Sequence, residues 1–209
     1  MRTALLIVGI GGAAAAFFAA RALARSSDED VGTVDAPDTL DAIRETIDAL
    51  SGAGDMTPSE QRNMNAFLAM IRAAEGTAGP NGYRMLFGGG LFQSFDDHPR
   101  VRFYGEFLQK GKQTYTTAAG GYQITESTFD RVADKLELED FTPASQDAIA
   151  IELIREKHAF DDVVAGNFDQ AIEKVAPVWA SLPASTRPQP KRTVQFVRAA
   201  YERAGGGYA

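Results

Sequence analysis

The 209-residue chain has no cysteine, so neither a disulfide framework nor thiol chemistry is open to it. Histidine is scarce: His98 and His158 stand far apart, and Asp97 beside His98, with no second His or Cys cluster, makes a poor metal pair. Basic residues are also in deficit, 21 Lys and Arg against 28 Asp and Glu, for a formal net charge of −7. No basic stripe interleaves with aromatics, which argues against a nucleic-acid partner, since phosphate neutralisation is what such binding runs on. The glycine run at 88–90 has no Lys and Ser or Thr following at fixed spacing, which excludes a phosphate-cradling loop. No period recurs along the chain, which excludes a solenoid or propeller.

Long uncharged runs are missing too, with one exception. Arg2 precedes an uncharged stretch at 3–20, closed by Arg21 and Arg25. Its length is near the minimum for a membrane span, but glycines and alanines dilute it. Residues 1–25 are therefore read as a transmembrane anchor, a cleavable signal segment, or a weak anchor able to leave the bilayer, with a buried soluble helix as the plain alternative. Residues 26–56 follow as an acidic linker that contains a short amphipathic helix at 38–50, where Leu40, Ile43, Ile47 and Leu50 share one stripe. That stripe packs either on the body of the protein or on a virion or membrane-protein partner.

The body, 57–209, is expected to be mostly helical with one irregular, slightly β lobe. Its first helix lies within the stretch 57–77. Thr57, Pro58 and Glu60 form a capping box with proline at N1, Met64, Phe67, Leu68 and Ile71 recur at helical spacing, and Gly76 supplies the stop. Glu75 falls on the continuation of the apolar stripe. Burial and the negative end of the helix dipole both disfavour its ionised form, which is how a general acid is made. The plain alternative is a Glu at a frayed helix end, reaching solvent or paired with Arg72 or Arg84.

Beyond it, 79–95 is rich in glycine and aromatics and cannot form a stable helix, so it reads as the irregular lobe with a small hairpin. The segment 115–124 brings small residues up to Tyr122 and Gln123, a suitable place for close approach of a ligand. Further helices are expected around Phe129 to Leu136, from Thr142–Pro143 onward, from Asn167 to a stop at Pro177, and around Val194 to Tyr201. Trp179, the only tryptophan, reads as a core anchor or a sugar platform.

Six blocks then carry a resemblance. Glu75-Gly76-Thr77, Gly88-Gly89-Gly90-Leu91-Phe92, Asp97-His98-Pro99-Arg100, Ala119-Gly120-Gly121-Tyr122-Gln123, Ser145-Gln146-Asp147-Ala148 and Trp179-Ala180-Ser181-Leu182-Pro183 resemble, in order and separation, the phage lambda endolysin family of lytic transglycosylases. The resemblance covers about 64–182 and says nothing of 1–56. It implies an α+β, mostly α, two-lobed lysozyme-like domain with a small β-hairpin lobe, preceded here by an N-terminal hydrophobic helix. It also implies cleavage of the β-1,4 bond between N-acetylmuramic acid and N-acetylglucosamine in peptidoglycan, without a cofactor or metal.

Glu75 matches the family's catalytic acid. Protonated, it donates to the glycosidic oxygen; as the conjugate base it then draws the proton from the muramic acid's own C6 hydroxyl, closing a 1,6-anhydro ring without water. A hydrolytic muramidase would instead need a second carboxylate, for which Asp97 stands ahead of Asp96 and Asp130, although Asp97 also fits a loop-bracing role. Tyr122 and Gln123 lead the expected substrate-binding residues, followed by Tyr83, Asp97, His98 and Gln146, and each has an internal structural role as its alternative. The chain departs from relatives in carrying Arg84, where they have an acid, and Gly121, where they have an arginine. A wall-degrading enzyme, acting at the end of infection or at its start, is thus set against a virion protein that grips glycan without cutting it.

Overall fold

The computed structural model describes residues 56–105 and 114–209. The anchor or export segment at 1–25 and the stripe at 38–50 lie outside the described residues. Among the described residues, no helix is long and apolar enough to cross a membrane.

Helix α1, Pro58–Glu75, starts as its sequence dictates. The Thr57 hydroxyl accepts from the Glu60 N–H at 3.3 Å, and the Glu60 carboxylate accepts from the Thr57 N–H at 2.8 Å, so two N–H groups of the first turn are satisfied reciprocally. It ends on Gly76, left-handed at φ 79°. Ala66, Met70 and Ala74 are buried as well as Met64, Phe67, Leu68 and Ile71, which makes α1 an axis of the core rather than a surface helix. The short α4, Phe160–Ala165, and the last helix, α6, Val194–Arg203, pack on it.

Between these come α2, Glu126–Leu136, and α3, Pro143–Glu156, with α5, Phe168–Val175, after α4. The Thr142 cap and Pro143 start α3 as expected, but α3 does not divide into a wet and a dry face. Every residue from Ser145 to Ile154 is buried, Gln146, Asp147 and Glu152 included. Glu152 is satisfied by Lys135 of α2 at 2.6 Å. Trp179 is a core anchor, not a sugar platform: its ring is buried, and its indole N–H donates to the Tyr122 carbonyl at 3.1 Å.

The second lobe hangs from the end of α1. A 3₁₀ turn, Gly82–Arg84, leads into a glycine turn, where Gly88 and Gly89 adopt φ 87° and 100° and allow Met85 to bridge back to Leu91. Strand β1, Phe103–Gly105, pairs antiparallel with β2, Thr114–Thr116, placing Phe103 opposite Thr116. The Phe87 and Phe103 rings, 5.9 Å apart, join hairpin to glycine turn. The lobe is pinned to the helical body by Phe141, whose ring meets Phe92 at 5.9 Å, His98 at 4.9 Å and Phe129 at 5.2 Å.

Candidate active site

Glu75 is the last residue of α1 and is half-buried. The chain reverses immediately after it because Gly76 takes the left-handed conformation and Thr77 turns inward, fully buried. The Thr77 hydroxyl is shared between the Arg72 carbonyl, at 3.1 Å, and the Gly121 carbonyl. This links the helix end to the 119–124 segment. From another side the Ser181 hydroxyl donates to Glu75 Oε1 at 2.7 Å. The Ser181 segment is itself tied down: the Arg192 N–H donates to the Ser181 carbonyl at 2.7 Å, and Arg192 Nε donates to the Ala74 carbonyl at 3.0 Å.

Behind this helix end lies a buried polar cluster built on Asp147 of α3. Its Oδ1 accepts from the hydroxyl of Tyr83 at 2.8 Å and from that of Tyr122. Burial and the adjacent carboxylate push both phenols above their ordinary range, so they stay protonated and act as donors. Burial pushes Asp147 up to about 6, against the pull of the Tyr122 hydroxyl, the Arg72 guanidinium and the Tyr83 hydroxyl. The Arg72 guanidinium lies over the Tyr83 ring, 4.8 Å from its centroid. Gln146 completes the cluster as a backbone bracket, accepting from the Gly121 N–H at 2.8 Å and donating to the carbonyls of Phe141 at 2.8 Å and Tyr83 at 3.0 Å.

These contacts correct three of the expected binding residues. Tyr122 is 1% exposed, and a ring enclosed on all sides has no face for a sugar. Gln146 is 0% exposed, with both ends of its amide spent on backbone. His98 is 2% exposed; its Nε2 donates to the Ile124 carbonyl at 3.0 Å and its Nδ1 accepts from the Arg100 N–H at 3.2 Å, while burial lowers its pKa and keeps it neutral. All three shape the site from within. The small residues before Tyr122 serve the same end: a Cβ at Gly120, where φ is +76°, would stand 2.1 Å from Gln146 Oε1. At Gly120 the absent side chain makes room for Gln146.

The other expected residues are nearer solvent. Gln123 and Tyr83 are half-buried, Gln123 donating to the Gly120 carbonyl at 3.0 Å and Tyr83 committing its hydroxyl to Asp147. Asp97 is exposed, as are Asp96 and Asp130. Arg100 collects Asp97, Asp130 and Glu126 at 2.9, 2.7 and 3.3 Å, and its hydrogen bonds hold the Asp97 carboxyl below the usual range. Asp97 also accepts from the His98 N–H at 2.7 Å, which is the loop-bracing geometry. Among the described residues no group of three or more His, Asp or Glu side chains is placed to hold a metal ion.

Both departures from relatives have local explanations. Arg84 donates to the Phe92 and Gln93 carbonyls and lies 4.0 Å from the Phe95 ring centroid, bracing its own lobe. A side chain at Gly121 would start 3.1 Å from Arg72 Cδ and from the Tyr83 ring, so Arg72 and Tyr83 already fill that space.

Residues 65–208 match the Endolysin family. The chain belongs to the endolysin family. It is 34% identical to the endolysin of Escherichia phage lambda over 147 residues, covering 68% of this chain and 90% of that protein. It is also 34% identical to the endolysin of Escherichia phage P2 over 157 residues, covering 69% and 94%. Among solved structures it resembles bacteriophage lambda lysozyme complexed with a chitohexasaccharide, with a TM-score of 0.64 at 33% identity, covering 71% of this chain and 97% of that one. A second structure of lambda lysozyme matches with a TM-score of 0.61 over the same shares. The fold is therefore lysozyme-like, mostly α with a small antiparallel hairpin. As an endolysin the protein is a peptidoglycan-degrading enzyme that cleaves glycosidic bonds.

Proposed function

We propose that this endolysin is a lytic transglycosylase, that residues 57–209 form its catalytic domain, and that Glu75 cleaves the N-acetylmuramic acid to N-acetylglucosamine β-1,4 bond. The observation that carries the reading is the engagement of the other candidate carboxylates by Arg100. Glu75 sits half-buried at the end of α1, its Oε1 accepting from the Ser181 hydroxyl, and the candidates for a second carboxylate, Asp97 and Asp130, are both held by Arg100. A carboxylate engaged by a guanidinium is a poor nucleophile and a weak base. The chitohexasaccharide bound to lambda lysozyme, a chain of β-1,4-linked amino sugars, supports a glycan strand as the substrate class.

In the reaction the protonated Glu75 gives its proton to the glycosidic oxygen as the C1–O bond breaks. Positive charge develops on the muramic acid ring. The carboxylate then takes the C6 hydroxyl proton while O6 bonds to C1, returning Glu75 to its starting form. No water enters the product.

The test is the mass of the muropeptides released from purified peptidoglycan. The expected products are lighter by one water than hydrolytic ones. Asp97→Asn should retain release within about fivefold, the scale of a lost surface ion pair. Reducing-end products, lost in Asp97→Asn, would make the enzyme a two-carboxylate hydrolase.

A further inference from the structure

We propose that Ser181 is a positioning residue for the catalytic carboxyl: its hydroxyl holds Glu75 Oε1 so that the glutamate both presents its proton and survives as the anion between the two proton transfers. This rests on the assignment of Glu75 as the acid.

A side chain at a helix end has several rotamers, and each one not aimed at the glycosidic oxygen is unproductive. The Ser181 hydroxyl, 2.7 Å from Oε1, selects one of them. Ser181 is itself only 8% exposed, and its backbone is fixed at two points. The Arg192 N–H bonds its carbonyl at 2.7 Å while Arg192 Nε bonds the Ala74 carbonyl at 3.0 Å, so one residue staples the serine segment to the last turn of α1. Two residues before Ser181, the Trp179 indole is anchored on the Tyr122 carbonyl at 3.1 Å, and the Tyr122 hydroxyl is in turn held by Asp147. The donor is thus placed by the buried cluster and not by a mobile loop.

The chemistry explains the need. A single-carboxylate mechanism requires Glu75 to be an acid in the first half and a base in the second. A hydroxyl donor stabilises the anionic form and is itself uncharged in both halves of the cycle. Among the described residues, the charged and titratable groups around the helix end include Arg72, one turn back on α1, Arg192 from the 182–193 segment, and Asp147 with Tyr83 and Tyr122 behind. A Ser181 substitution leaves all of them in place.

The experiment measures kcat, KM and the pH profile of muropeptide release for the full chain and for Ser181→Ala, Ser181→Thr and Glu75→Gln, with thermal melting of each. Expected for Ser181→Ala is a fall in kcat of about 10- to 100-fold with KM little changed, and a pH–rate limb assigned to Glu75 displaced to higher pH. Ser181→Thr, which keeps the hydroxyl, should recover most of the rate. The inference is overturned if Ser181→Ala, folded, keeps the wild-type kcat and pH profile, or if kcat falls with no displacement and no recovery by threonine. If Glu75→Gln is as active as wild type, the assignment of the acid fails instead.

Discussion

Glu75→Gln lowers the rate of muropeptide release by about 10²–10⁴-fold, the range a positioned general acid contributes, while melting within a few degrees of wild type. The fold is preserved because the amide oxygen still accepts the Ser181 hydroxyl that now bonds Oε1, and α1 retains its capping box and its Gly76 stop. The reaction is lost because an amide has no proton to give at any working pH and cannot accept the C6 proton. Release from peptidoglycan by the full chain, with melting as the control, checks this. Substantial release by a folded Glu75→Gln variant would remove Glu75 from the mechanism.

Asp147→Ala destabilises the protein by about 3–5 kcal/mol, because two buried phenol hydroxyls lose their common acceptor and the Arg72 guanidinium loses the nearby negative charge at once. For a domain of this size that lowers Tm by about 10 °C. Asp147→Asn is milder and isolates the charge. Burial raises the native carboxyl from its ordinary 3.8 to about 6, so the folded state binds this proton more tightly than the unfolded chain. Wild-type stability from this group is therefore full below about pH 4 and falls as the pH rises to about 6, by on the order of 3 kcal/mol. Asparagine at 147 cannot titrate. In melting curves from pH 4 to 7, wild type should lose ground relative to Asp147→Asn as the pH rises, then run parallel above pH 6. Curves parallel throughout would show that the carboxyl is not desolvated as described.

Helix boundaries were legible wherever a local rule sets them. Thr57 with Pro58 and Glu60, Thr142 with Pro143, and Gly76 after Glu75 announce their elements without tertiary context, and all are observed. The short α4, Phe160–Ala165, was not visible: six residues are too few to establish a period, and its Ala159 cap carries no side-chain signal. Glu75 could be singled out because a carboxylate on an apolar stripe violates the pattern around it.

Binding residues were harder. Tyr122, Gln146 and His98 have side chains suited to a sugar, yet sequence cannot tell a polar group facing a cleft from one satisfied internally, and in all three the interior partner lies at least 25 residues away or on the chain's own backbone. Asp147 and Ser181 went unselected for the converse reason. Asp147 sits in the apolar run of α3, and Ser181 reaches Glu75 across 106 residues of chain. Both lie inside blocks that carried the resemblance, which was the only signal for them.

The most direct test of the single-carboxylate account is digestion of purified peptidoglycan in water enriched in heavy oxygen, with the released muropeptides analysed by mass. If Glu75 closes the ring with the sugar's own C6 hydroxyl, no heavy oxygen enters the muramic acid end. Its stoichiometric incorporation there would mean that water is the nucleophile, and would contradict the mechanism.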